Sequence, residues 1–149
     1  MYNHFFGLTS SPFAIAPDPN YLYMSPQHRD ALAHLIYGIQ ANGGFVLLTG
    51  DIGTGKTTLC RCMLNHTSDD TDIAFILNPT LNSEELLASI CDELHIDYDK
   101  HHLSIKLLSD SIYHHLLKSH AAGRNTVLII DEAQNLSPDV LEQMRLLTN

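Results

Sequence analysis

The chain has 149 residues, 44% hydrophobic and 17% charged, enough for one domain with a buried core. Eight Lys and Arg stand against 17 Asp and Glu, a formal net charge of −9 with ten histidines neutral; the cations are scattered, so no nucleic-acid partner is expected. No apolar run reaches the roughly 18 residues of a membrane span, and Met1–Leu8 lacks the cationic lead of a signal peptide, so a cytoplasmic chain without membrane contact in this segment is expected.

In chain order, residues 1–24 form an irregular arm rich in aromatics and prolines, among them Phe5, Phe6, Pro12, Phe13, Pro17, Pro19, Tyr21 and Tyr23, whose rings can pack. Ser25-Pro26 supplies a capping hydroxyl followed by proline at the first helical position. Ala31, Leu32, Leu35, Ile36 and Ile39 then recur at helical spacing until Asn42-Gly43-Gly44 stops the helix. Phe45–Thr49 reads as a strand that enters Gly50-Asp51-Ile52-Gly53-Thr54-Gly55-Lys56-Thr57. In that loop Gly50, Gly53 and Gly55 let the backbone curl and turn its N–H groups inward on a polyphosphate. Lys56 adds a mobile cation, the Thr57 hydroxyl can ligate Mg²⁺, and Thr58 opens a helix whose N-terminus faces the anion and which runs to about His66. A chance glycine-rich turn is the alternative, and the position between a strand and a helix argues against it.

Beyond the polar break Thr67–Asp70, the apolar run Ile73–Leu77 suits a strand covered on both faces and ends at Asn78-Pro79. A helix is expected at about Ser83–Leu94, with Leu86, Leu87, Ile90 and Leu94 on one side. Another is expected near Ser104–His120, with Ile105, Leu108, Ile112, Leu116 and Leu117 inward and Gly123 as its stop. Val127–Ile130 is the third strand. Ser137-Pro138 starts the last helix, which carries Val140, Leu141, Met144 and Leu147, and Leu136 and Leu141 have hydrophobic-staple spacing. Strands alternating with helices predict a parallel α/β sheet over residues 25–149.

The third strand delivers Asp131 and Glu132 to the carboxyl edge of the sheet, where ligands bind in open α/β folds. There Asp131 can hold Mg²⁺ through its water shell opposite Thr57, and Glu132 can polarise a water for attack on the γ-phosphate. An acidic pair capping a strand end is the alternative, and the phosphate loop upstream favours catalysis. Asn78 can hydrogen-bond Glu132, or serve only as a turn residue before Pro79. Tyr23 and Met24 are candidates for adenine, with packing of the arm against the core as the alternative. Cys60 and Cys62, two apart on a helix, point to nearly opposite sides and do not clamp one ion; with Cys91 they read as reduced packing thiols.

A phosphate loop with Asp-Glu after an apolar strand resembles the additional-strand ATPases, especially AAA+ proteins. The frame is closer still to the general secretion pathway protein A family, also called ExeA. Its N-terminus looks like Met1-Tyr2, Phe5-Phe6-Gly7-Leu8, Pro12-Phe13, Pro17-Asp18-Pro19 and Leu22–Ser25 with His28. Gly44–Gly50, Asp131–Leu136 and Leu141–Asn149 fit it as well, so the resemblance spans essentially the whole chain. It implies a P-loop NTPase of the AAA+ type, a three-layer sandwich around a parallel sheet. In that family Lys56 and Thr57 would handle phosphate and Mg²⁺, Asp131 the metal, Glu132 the acid/base step, and Asn78 the glutamate. ATP and Mg²⁺ are the implied cofactors. The implied setting is the cytosolic face of the inner membrane, with a B-type secretion protein, the secretin and, through regions absent here, peptidoglycan as partners; self-association is expected. A pilus-biogenesis relative fits the same residues.

The chain departs from that family by stopping before the sensor strand, the arginine finger, the helical lid, the membrane span and the periplasmic part. The resemblance therefore implies a piece of an ATPase, with the phosphate-loop strand and the Asp131 strand left with unpaired edges facing a gap. Such a piece should bind nucleotide weakly and turn it over slowly. Three other functions share parts of the pattern. A DNA-linked transposition-type ATPase has this core, and the charge of −9 argues against it. A nucleotide-sensing module would not need Glu132. A small-molecule kinase shares the loop, but Glu132 favours water as acceptor. No Asn-Lys-x-Asp sequence occurs to read guanine.

Overall fold

The computed structural model describes residues 2–9, 19–40, 44–77 and 81–148. After a short helix α1 (Tyr2–Phe5) come α2 (Pro26–Gln40), α3 (Lys56–Leu64), β1 (Thr71–Ile76), α4 (Ser83–Glu93), α5 (Ile105–Ala121), β2 (Asn125–Ile130) and α6 (Pro138–Leu147). Single 3₁₀ turns occupy Pro19–Tyr21 and Ala133–Asn135.

β1 and β2 pair in parallel, Thr71 opposite Asn125 through Ile76 opposite Ile130. The N–H of Asp131 extends the ladder by donating to the Ile76 carbonyl at 2.9 Å. Alternation along β2 sends successive side chains to opposite faces. Leu128 and Ile130 pack with Ala74, Ile76, Leu86, Leu87, Ile90, Cys91, Leu108, Ile112, Val140 and Met144, so α4, α5 and α6 cover one face. Ile129 packs on the other side with Leu32, Leu35, Leu59 and Met63 of α2 and α3. Helices on both faces of a parallel pair make the expected α/β layering, with a small sheet.

The helix ends follow the sequence chemistry. The Ser25 hydroxyl accepts from His28 N–H at 3.2 Å, and the Ser137 hydroxyl from Val140 N–H at 3.4 Å. Asn82 and Glu85 close a capping box at α4, each side chain accepting from the other's N–H at 2.9 Å. At the far end of α5, Ser119 is buried and donates to Asp72 Oδ2 at 3.0 Å, while Arg124 Nη2 reaches Asp72 Oδ1 at 2.5 Å. This network ties the entry ends of β1 and β2 to the helix between them.

Several expectations are corrected. Phe45–Thr49 does not form a strand: among the described residues it has no ladder partner, and Phe45, Val46 and Leu47 are exposed. Apolar, β-branched sequence makes a strand only where another strand takes up its backbone groups. On α5, Leu108, Ile112 and Ser119 face inward, whereas Leu117 is 67% exposed and Ile105 lies at the surface. Nine residues at about 100° each put Leu117 opposite Leu108. Leu141 is half exposed although Leu136 packs on the core, so the staple positions do not both bury. The rings of Phe5, Phe6, Tyr21 and Tyr23 are exposed rather than packed on the core, and Phe5 and Phe6 meet edge to face at 4.9 Å.

Candidate functional site

The site is built where α3 begins and β2 ends. Gly53 and Gly55 have φ of 78° and 85°, in the left-handed region that L side chains rarely adopt, and Gly55 is the N-cap of α3. Gly50 has no such φ; its constraint is closeness, since a Cβ there would lie 3.2 Å from Thr54 Oγ1. The loop is braced internally, with Thr54 Oγ1 donating to the Asp51 carbonyl at 2.8 Å. Ile52 at its tip is fully exposed, so what Ile52 offers a ligand is backbone.

Lys56 folds back over the loop, its Nζ donating to the carbonyls of Gly50 and Asp51 at 2.9 Å each. An ammonium held by two neutral acceptors at an exposed position is ready to exchange them for phosphate oxygens, which make stronger, charge-assisted bonds. α3 starts at Lys56, two residues earlier than the sequence suggests, so the N–H groups of Lys56, Thr57 and Thr58 belong to its first turn, where no intrahelical acceptor exists. The positive end of the helix dipole lies there too.

Across from this turn, Thr57 Oγ1 donates to Asp131 Oδ2 at 2.5 Å. Residues chosen separately from the loop and from the strand end thus touch. A hydroxyl and a carboxylate are the hard oxygen donors that Mg²⁺ takes, so the donor set fits that ion. Glu132 follows in the left-handed region at φ 54°, unusual for a non-glycine residue. Its N–H donates to Asp131 Oδ1 at 3.0 Å, and its Oε2 accepts from Gln134 Nε2. The sequence reading did not single out Gln134; a polar side chain two residues after the acid was the available signal. Asn78, the residue expected to hold Glu132, lies outside the described residues. Beside the site, burial first and the Asp131 charge second raise the Cys60 thiol above its ordinary value.

The first turn of α2 and the segment before it close the other side of the loop. His28 Nε2 lies 2.8 Å from the Thr54 carbonyl, and its Nδ1 lies 2.7 Å from Ser25 Oγ. Leu22 and Met24 pack with the α2–α3 cluster, while Tyr23 is 83% exposed. Of the two adenine candidates, Met24 is therefore engaged in packing and Tyr23 is free of the core.

The profile of a family described as an AAA domain matches residues 39–149. The chain is 58% identical, over all 149 of its residues, to General secretion pathway protein A of Aeromonas hydrophila, and spans 27% of that protein's length. No solved structure matches the chain.

Proposed function

Because the chain belongs to the AAA domain family, whose fold is that of P-loop NTPases, we propose that it is the Mg-ATP-binding and hydrolysing part of a secretion ATPase. The observation that carries the reading is the bond between Thr57 and Asp131, which joins the phosphate loop to the acidic end of β2. Lys56 and the first-turn N–H groups of α3 bind and orient the phosphates. Thr57 and Asp131 hold Mg²⁺, which when bound neutralises charge on the phosphate oxygens. Glu132, kept in place by Gln134, takes the proton of an attacking water.

The secretion setting rests on the 58% identity to General secretion pathway protein A. In this reading the whole protein works at the cytosolic face of the inner membrane, self-associates, and acts with a B-type protein on the secretin and, through its other regions, on peptidoglycan. Its remaining length supplies the sensor strand, the lid and the membrane anchor. Among the described residues no helix is long and apolar enough to cross a membrane.

Titration calorimetry with Mg-ATP tests the reading. Heat is expected from the wild-type chain, and Lys56→Ala should weaken binding by roughly tenfold or more, as loss of a charge-assisted bond implies. A wild-type chain that takes up no Mg-ATP would overturn it.

A further inference from the structure

His28, the fourth residue of the Ser25-Pro26-Gln27-His28 helix start, is 26 residues from the loop it touches. A carbonyl oxygen only accepts, so the Nε2–H of His28 must donate to Thr54. That leaves Nδ1 as the acceptor of the Ser25 hydroxyl at 2.7 Å, while the same Ser25 oxygen accepts from His28 N–H at 3.2 Å. Both ring nitrogens are thus engaged, and the helix cap fixes tautomer and ring orientation together.

The Thr54 carbonyl shares its peptide plane with the Gly55 N–H, and the described chain has no cis peptide bond. Across a trans peptide the two groups point in opposite directions. Tethering the carbonyl to His28 therefore turns the Gly55 N–H away from α2. Without a tether this plane has unusual freedom, because Gly55 sits at φ 85° with no side chain to restrict it. A Cβ on Gly55 would stand at ordinary contact distance, 3.5 Å from Leu22 Cδ1 and 3.7 Å from His28 Nε2, so Leu22 and His28 are the loop's neighbours on this side.

We propose that His28 is a positioning residue for the phosphate loop: through the Thr54 carbonyl it locks the Thr54–Gly55 peptide so that the Gly55 N–H is presented to the bound polyphosphate. The proposal rests on the Mg-ATP reading above and adds to it a residue outside the loop that sets the loop's anion-binding state. Its consequence is that the first turn of α2 controls phosphate affinity: a partner or a movement that draws His28 away would loosen the grip on nucleotide without touching the loop.

The test is NMR of the chain with ¹⁵N-labelled glycine, eight residues in all, combined with Mg-ATP titration. His28→Ala should displace the Gly55 amide resonance in the nucleotide-free chain and weaken Mg-ATP binding about threefold to tenfold, the scale of one hydrogen bond. His28→Gln, whose amide N–H can replace Nε2–H, should restore both. Ser25→Ala, which frees the ring without removing it, should shift the same resonance less and serves if His28→Ala fails to fold. A Gly55 resonance unmoved by His28→Ala or, should that variant not fold, by Ser25→Ala would overturn the tether, even with Mg-ATP binding intact in the wild type. Equal loss in His28→Ala and His28→Gln would overturn it as well. Absence of Mg-ATP binding in the wild type would instead remove the functional reading, and the Gly55 resonance would still decide the tether.

Discussion

Thr57 at the start of α3 and Asp131 just past β2 are 74 residues apart in sequence and share a 2.5 Å hydrogen bond. The hydroxyl supplies the proton and the carboxylate accepts it, so Asp131 holds Thr57 ready beside the phosphate loop. Asp131→Asn should lower Mg²⁺-dependent ATP affinity roughly 10–100-fold, the range for residues that act on a metal through its water shell. Binding of ATP in EDTA should change much less. Titration with and without Mg²⁺ checks this, and equal losses in both would place Asp131 outside the metal's surroundings.

Glu132 is held on one side by its neighbour's carboxylate and on the other by Gln134. Glu132→Gln should keep ATP binding within a few-fold and reduce hydrolysis by about 10²-fold or more, the usual contribution of a general base. Gln134→Ala, which frees the carboxylate without removing it, should cost less in the same direction. Phosphate release measured beside binding separates the two; unchanged turnover in Glu132→Gln would favour a nucleotide-sensing switch.

Gly38 lies in the last turn of α2, where alanine ordinarily gains up to about 1 kcal/mol. Here a Cβ would run into Val46 Cγ2, on the segment that leads to the phosphate loop. Overpacking costs about 1–3 kcal/mol, so the sign reverses and Gly38→Ala should lower the melting temperature by several degrees. Adding Val46→Ala should recover it. A Gly38→Ala variant that melts higher than wild type would show that the loop segment yields instead.

The Asp72 carboxyl is held below its ordinary value, chiefly by its hydrogen bond to Arg124, with Ser119 and His115 adding to the effect and burial opposing it. A carboxylate depressed in the folded state stabilises the fold above its unfolded value of about 4, and that contribution drains away as pH falls through the folded value. Asp72→Asn should therefore lower the urea midpoint at pH 7, with the gap to wild type narrowing as pH drops below about 4. A constant gap would assign the loss to packing rather than charge.

The site was legible where residue type and spacing carry the chemistry. Gly53, Gly55, Lys56 and Thr57 are set by a turn that few other residues can make, and Asp131 follows a buried strand directly. What depended on distant partners was not legible. Phe45–Thr49 has strand composition, but a ladder is made by neighbours in space, and none pairs with it among the described residues. His28 was visible only as part of a family frame, because nothing near it in sequence announces the Thr54 carbonyl. α4 ends through His95 in the left-handed region rather than a glycine, with Ile96 N–H donating to the Cys91 carbonyl at 2.8 Å. Its end therefore lacked the usual punctuation. Leu117 is a different case: helical geometry alone puts it opposite Leu108, so its exposure was there to be read.

The two apolar clusters grip β2 from opposite sides, α4–α6 through Leu128 and Ile130, and α2–α3 through Ile129. Each slab rests on its own reservoir of buried surface, so heat should peel the lighter one, which carries the phosphate loop, before the heavier one gives way. A triphosphate spanning Lys56 and Asp131 would rivet the slabs together. The calorimetric trace should then change from two steps to one as ligand is added, with the early step rising in temperature as ligand concentration grows.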